Sequence, residues 1–253
     1  TRCQRATRFK GRECLGRLAG KRVIITGGST GIGAAIAKRF LDEGAKVCVW
    51  CRNLDNAKTI KKELPALSDV VGVDVAEPAE VDVAFPLSIA ALGGLDVMIC
   101  NAGISIRRDF LDIDRADFDR VMRVNVHGVF YPSQLAARHM MKADGGAILI
   151  TASTAGVVGY RHYSDYNASK GAVLAMMRTM AIELAPKVRV NAINPGYTST
   201  PMQDAEYSPV HPQEARRGLS GSGLIHRLDK PLPPPKPLPQ DCCGTGCIPC
   251  IME

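Results

Sequence analysis

The chain has 253 residues, of which 46% are hydrophobic and 23% charged, and a formal net charge of +7. This length gives one domain with a sizeable core, and no apolar run reaches the roughly 18–20 residues of a membrane span. The basic charge is local: residues 1–22 hold eight basic side chains and one acid, leaving 24 basic against 24 acidic residues in the rest. Neither nucleic acid nor a membrane is therefore expected as a partner.

Residues 1–17 read as a basic, disordered leader, Arg-rich and acid-poor as transit peptides are. A mitochondrial address, or a reading frame extended wrongly at its start, are the other readings of this segment. Arg22 to Thr26 is a β-branched run that predicts the first strand. Gly27-Gly28-Ser29-Thr30-Gly31-Ile32-Gly33 follows it and Ala34 to Leu41 reads as a helix. Strand, glycine-rich turn and helix together suit a dinucleotide, whose pyrophosphate meets free N–H groups at the helix start. A purely structural loop is the alternative.

Lys46 to Trp50 predicts a second strand, Leu54 to Leu64 a helix, and Val70 to Val73 a third strand ending at Asp74. Glu80 to Leu92 reads as a helix with Pro86 inside it, which predicts a kink or break near Phe85. Leu95 to Cys100 is a fourth strand running into Asn101. Arg115 to Met141 is long enough for two successive helical stretches, with Asn125 near their junction. This alternation predicts parallel βαβ units and an α/β, Rossmann-type doubly wound sheet in three layers. Ligands bind beyond the carboxyl ends of such strands, where Gly27, Asp74 and Asn101 all fall.

Ser164 to Leu184 reads as another long helix, carrying Tyr166 and Lys170 four residues apart. That spacing puts both side chains on one face. An ammonium beside a phenol favours the phenolate, so a group that normally titrates near pH ~10 becomes usable as an acid or base closer to neutrality.

The motifs together resemble the short-chain dehydrogenase/reductase family over about residues 18–207. They are T-G-G-S-T-G-I-G at 26–33, V-D-V at 73–75, N-A-G at 101–103, V-N-V-H-G at 124–128, S-T at 153–154, Y-N-A-S-K at 166–170 and N-P-G at 194–196. The resemblance implies an oxidoreductase that moves hydride between a nicotinamide cofactor and a small alcohol or carbonyl compound. It implies Tyr166 as general acid or base, Ser153 as the partner of the reacting oxygen, and Lys170 as holder of the ribose and modulator of the tyrosine. Asn125 would anchor a water in the proton path. The same resemblance puts the cofactor against Gly27, Thr30, Gly31, Ile32 and Gly33 of the turn and against Asp74 and Val75. Asn101, Ala102 and Gly103 would complete its floor, and Pro195, Gly196, Thr198 and Thr200 its far wall. No metal is assigned.

NAD-preferring members carry an acid at the end of the second strand; here Cys51 stands there, followed by Arg52. An arginine grips a 2′-phosphate, so NADP(H) is preferred and NAD(H) possible, with Thr30 standing where many NADP users place a second basic residue. Val157, Val158, Tyr160 and His162 suggest a mixed apolar and aromatic substrate pocket. The resemblance also implies a homodimer through the two long helices. Scattered cysteines such as Cys48, Cys51 and Cys100 read as reduced thiols of a cytoplasmic protein.

The catalytic domain is expected to span 18–230 without the usual last helix and strand, which removes the family's tetramer interface. Residues 231–253 form a Pro-rich linker and a tail with Cys242, Cys243, Cys247 and Cys250, resembling the proline-then-cysteine motif of the family named oxidoreductase-like. A metal or thiol-redox role for that tail, and a nucleotide-binding protein with little turnover, stand as the other functional readings.

Overall fold

A computed structural model describes residues 16–207, within the first of the chain's two compact units, Thr1–His211. The expectations for the leader, the last helix and strand, the proline run and the cysteine tail lie outside the described residues.

Six strands form one parallel sheet: β1 Arg22–Thr26, β2 Lys46–Cys51, β3 Asp69–Gly72, β4 Val97–Cys100, β5 Gly146–Thr151 and β6 Val188–Ile193. Their order across the sheet is β3-β2-β1-β4-β5-β6, so the winding reverses between β1 and β4. Helices fill the connections: α1 Gly31–Asp42, α2 Leu54–Glu63, α3 Pro78–Leu92, α4 Arg115–Met122, α5 Gly128–Lys142, α6 Ser164–Glu183 and α7 Pro201–Tyr207.

Strand side chains alternate between the two faces, and the core divides accordingly. Val23, Ile25, Val47, Val49 and Ile99 pack with Ala37 of α1 and Ile60 of α2. Ile24, Trp50, Met98, Ile148 and Val190 point the other way, onto Phe85 and Leu92 of α3, Met140 of α5 and Val173 of α6. Burying a strand on both faces selects for runs such as Val-Ile-Ile and Val-Cys-Val-Trp in place of strict polar–apolar alternation. Two polar side chains inside this core, Trp50 and Ser88, are paired. Trp50 Nε1 donates to Ser88 Oγ (2.7 Å), which donates to the Ala84 carbonyl (2.9 Å). Burial pushes the Cys48 thiol up to about 11 and the Cys100 thiol to about 12, which leaves both protonated and inert. At the opposite end of the strands Arg22 grips Asp96 through Nε (2.8 Å) and Nη2 (2.9 Å), and holds that carboxyl below its ordinary range.

Of the kink or break expected near Phe85, the break does not occur: α3 runs continuously through Pro86. Proline at this position leaves the carbonyl of Asp82 without its helical donor. Both residues lie on the exposed side of the helix while Val81, Ala84, Phe85 and Ser88 are buried. Water can therefore replace the lost bond. The junction expected near Asn125 is present as a wide, π-type turn over Arg123–His127 that joins α4 to α5. Such an insertion turns a side chain out of helical register, a device common at functional sites. Among the described residues no helix is long and apolar enough to cross a membrane.

Candidate active site

A cavity of about 380 Å³ opens over the carboxyl ends of the strands at the reversal between β1 and β4. Its floor is the glycine turn. Gly27 has φ 62°, and a Cβ there would stand 2.8 Å from Ala102 Cα. A Cβ on Gly33 would stand 2.3 Å from the Gly27 carbonyl oxygen, so only glycine lets α1 start this close to the turn. Thr26 Oγ1 accepts from the N–H groups of Asn101 (2.9 Å) and Ala102 (3.0 Å). Asn101 Nδ2 in turn donates to the carbonyls of Thr26 (3.1 Å) and Gly27 (3.2 Å). The N-A-G segment thereby lashes the end of β4 to the end of β1 and fixes the turn. At Thr30 the chain is extended and supplies no side-chain cap to α1, so the first helical N–H groups stay available to an anion. These features fit a dinucleotide pyrophosphate.

One end of the cavity lies at the tips of β2 and β3. Arg52 Nη1 is 3.6 Å from Asp74 Oδ2, with 57% of the arginine side chain exposed. An exposed pair of this kind is worth about 0–1 kcal/mol, so a phosphate can displace the carboxylate from it. Asp74 Oδ1 also accepts from Ala76 N (2.9 Å). Cys51 is buried, with its thiol directed at the Asn53 carbonyl (3.7 Å), and Asn53 caps α2 through Asp55 N and Asn56 N.

The other end holds the predicted catalytic set. Lys170 is buried, its Nζ donates to the Thr151 carbonyl (2.9 Å) and lies 5.5 Å from the centroid of the Tyr166 ring. Burial pulls its pKa down to about 8. Ser153 Oγ accepts from Ala155 N (3.1 Å), which orients the hydroxyl while leaving its proton to be donated elsewhere. Two further polar groups lining the cavity, Thr151 Oγ1 and Ser105 Oγ, are buried without a hydrogen-bond partner. Such groups suit a site that a ligand completes.

Asn125 is fully buried and does not line the cavity. Its Oδ1 accepts from Ile104 N (2.8 Å), and its Nδ2 donates to the Ile104 carbonyl (2.9 Å) and to Ser169 Oγ (3.0 Å). Both amide hydrogens are used, which leaves one lone pair on Oδ1 for a water. Ser169 Oγ donates to the Tyr166 carbonyl (2.8 Å), so the wide turn, the segment after β4 and the first turn of α6 are tied together.

Of the sequence-predicted site residues, all but Gly33 and Asn125 line the cavity; those two act from behind it. His162, Val157 and Val158 do not line it. His162 Nδ1 instead meets Asp109 Oδ1 at 2.6 Å, and the two valines are exposed. Residues that sequence reasoning missed include Thr26, Ile104, Ser105, Tyr163, Tyr197 and Met202. Tyr163 carried a usable signal, three residues before Tyr166 at the start of the same helix. The far wall folds back over the floor. Thr154 N donates to the Pro195 carbonyl (3.1 Å), and the Thr200 side chain comes within 3.2 Å of where a Gly31 Cβ would be.

Comparison with known proteins agrees with this geometry. The family model described as short chain dehydrogenase matches residues 21–210. A glucose 1-dehydrogenase of Gluconobacter oxydans is 40% identical over 192 residues, covering 74% of this chain and 72% of that protein. An NADP-dependent (R)-specific alcohol dehydrogenase of Lentilactobacillus kefiri is 36% identical over 195 residues, covering 74% and 77%. Among solved structures, a 3-ketoacyl-(acyl-carrier-protein) reductase of Brucella melitensis complexed with NADH superposes with a TM-score of 0.70 at 35% identity, covering 73% of this chain and 78% of that one.

Proposed function

The chain belongs to the short-chain dehydrogenase family and is an oxidoreductase, and from that premise we propose that it is an NADP(H)-preferring enzyme acting on a small alcohol or carbonyl substrate with Tyr166 as general acid and base. The observation that carries this reading is the buried Lys170 ammonium, 5.5 Å from the Tyr166 ring at the end of a cavity that starts on a glycine turn. When bound, the cofactor supplies or accepts the hydride. Everything else falls to the protein. Tyr166 donates its phenolic proton to the substrate oxygen in reduction and takes it back in oxidation. Ser153 donates a hydrogen bond to that oxygen and holds it in line. Lys170 gives donors to the cofactor ribose, and its charge favours the tyrosinate left after proton transfer. Asn125, through Ile104 and Ser169, keeps these groups in register.

NADP(H) preference rests on Arg52, set at the tip of β2 where no carboxylate opposes a 2′-phosphate except Asp74, which an exposed pair holds only weakly. The NADP-dependent relative supports it, and the NADH complex of another relative keeps NAD(H) as the alternative. Exposed Phe118 on α4, Phe130 on α5 and Ile182 on α6 support a homodimer through these helices. Three unpaired buried thiols, Cys48, Cys51 and Cys100, suit a reducing compartment, the cytoplasm.

The test combines binding and turnover. A ligand bound only by the folded state raises the melting midpoint with its occupancy, so NADPH is expected to raise it more than NADH at equal concentration. Replacing Tyr166 by Phe is expected to lower kcat by about 10²–10⁴-fold while leaving the NADPH shift in place. Normal turnover by Y166F would remove Tyr166 from the mechanism.

A further inference from the structure

Among the described residues, only three charged side chains line the cavity: Arg52, Asp74 and Lys170. The first two pair with each other at the tips of β2 and β3, and the third is buried beside Tyr166 with its Nζ on the Thr151 carbonyl. Among the described residues no carboxylate, guanidinium or ammonium is left to meet the part of a substrate that extends away from the reacting oxygen. A charged group placed there would lose its water without gaining a counter-ion, and burial of an unpaired charge is strongly unfavourable.

Aromatic faces take the place of charge. Tyr160 and Tyr197 stand edge to face, with centroids 6.2 Å apart and planes at 82°. Tyr163 and Tyr166 form a second such pair at 6.1 Å and 60°. The first pair is braced. The Tyr160 hydroxyl is 3.2 Å from Thr154 Oγ1, and Thr154 N is bonded to the Pro195 carbonyl two residues before Tyr197. Two members of this wall are nonetheless open to solvent, Tyr197 at 47% exposure and Met202 at 41%. A rigid aromatic edge next to an adaptable thioether suits a flat apolar ring.

Resting on the oxidoreductase reading above, we infer that the substrate end of the cavity is built for an uncharged, ring-bearing carbonyl compound and its alcohol. The ring lies against Tyr160, Tyr197 and Met202, and its carbonyl points at Ser153 and Tyr166. In reduction the carbonyl carbon gains hydride from NADPH and the carbonyl oxygen gains the Tyr166 proton, giving the alcohol and NADP⁺. The tyrosinate is then reprotonated from solvent. Substrate choice is thus made by what the wall lacks as much as by what it presents.

The experiment compares acetophenone with its para-carboxylate and para-trimethylammonium derivatives, each with NADPH and purified full-length chain. Acetophenone is expected to exceed each of the other two by more than tenfold in kcat/KM. Tyr197→Ala is expected to lower the acetophenone value at least tenfold without changing the NADPH thermal shift. A smaller margin over either of the two, or an unchanged Tyr197→Ala variant, overturns the inference. If NADPH binds and no carbonyl is reduced, it is the carbonyl-reducing function proposed above that fails. The seat is then read by titrating racemic phenylethanol and its para-carboxylate into the NADPH-saturated protein by calorimetry. Binding of the neutral alcohol alone upholds the seat, and equal binding or none overturns it.

Discussion

The two ends of the cavity are built by different means. The end at the glycine turn is made of backbone: a turn with a positive φ, a helix start with open N–H groups, and an asparagine whose amide is spent on main-chain carbonyls. The end beside Tyr166 is made of side chains: tyrosines in edge-to-face pairs, a methionine and an isoleucine. A backbone site tolerates almost no variation, because an added Cβ meets a main-chain atom that cannot yield. A side-chain wall tolerates a great deal, because many apolar shapes fill a given volume. Within one family the first is therefore a constant and the second a variable.

Three experiments press on this contrast, in decreasing order of expected effect. Gly33→Val is expected to abolish the thermal shift by NADPH. Its Cβ would lie 2.3 Å from the Gly27 carbonyl oxygen, so the turn itself must move; overpacking of this kind also costs about 1–3 kcal/mol of stability. A Gly33→Val protein with a normal NADPH shift would show that the turn is less rigid than its geometry requires.

Lys170, where the two ends meet, makes stability depend on pH. Burial brings its folded-state pKa to about 8, against roughly 10.4 in an unfolded chain. Between those values the unfolded chain holds the proton and the folded protein does not, so stability rises with pH across that window and the penalty for the buried charge is full below it. The shift corresponds to something on the order of 3 kcal/mol. Lys170→Met is expected to lack this slope, so wild type gains on the variant from pH 8 to 10.4 when both are melted with denaturant. Parallel profiles would mean the ammonium is solvated in the folded state.

The smallest effect belongs to the rim. Arg52→Ala is expected to weaken NADPH binding about tenfold, the loss of one charge-assisted bond of about 1.5 kcal/mol, and to leave NADH nearly unchanged. Equal losses for both cofactors in a titration would assign Arg52 to the adenine or ribose instead of the phosphate.

The same contrast explains what could be read in the sequence. The first four strands, the helices among them and the doubly wound class follow from periodicity and from the placement of glycines, and the bounds of β1 and α2 moved by a residue at most; β5, β6 and α7 were not read from the sequence. The floor of the cavity was legible because local geometry dictates residue type at Gly27, Gly31, Gly33 and Asn101. Pro86 does not break α3, because the rule for interior prolines counts the lost hydrogen bond but not the water available to an exposed carbonyl. The place of Tyr197 and Met202 in the cavity wall was hidden for another reason. Nothing local requires a tyrosine or a methionine after N-P-G; their meaning appears only when the segment folds back across Thr154 and Gly31. Asn125 was found as a residue type, but its bonds to Ile104 and Ser169 depend on the wide turn, which has no simple sequence signature.

Trp50, the single tryptophan of the chain, sits in the wall of the cavity with its indole nitrogen anchored on Ser88. Indole emits light in the band where a reduced nicotinamide absorbs it. The molecule thus contains its own optical gauge: quenching of that emission, with sensitised nicotinamide fluorescence, reports occupancy by NADPH or NADH without any label. Because the donor is one ring held at one place, the signal from every variant named above can be compared on the same scale.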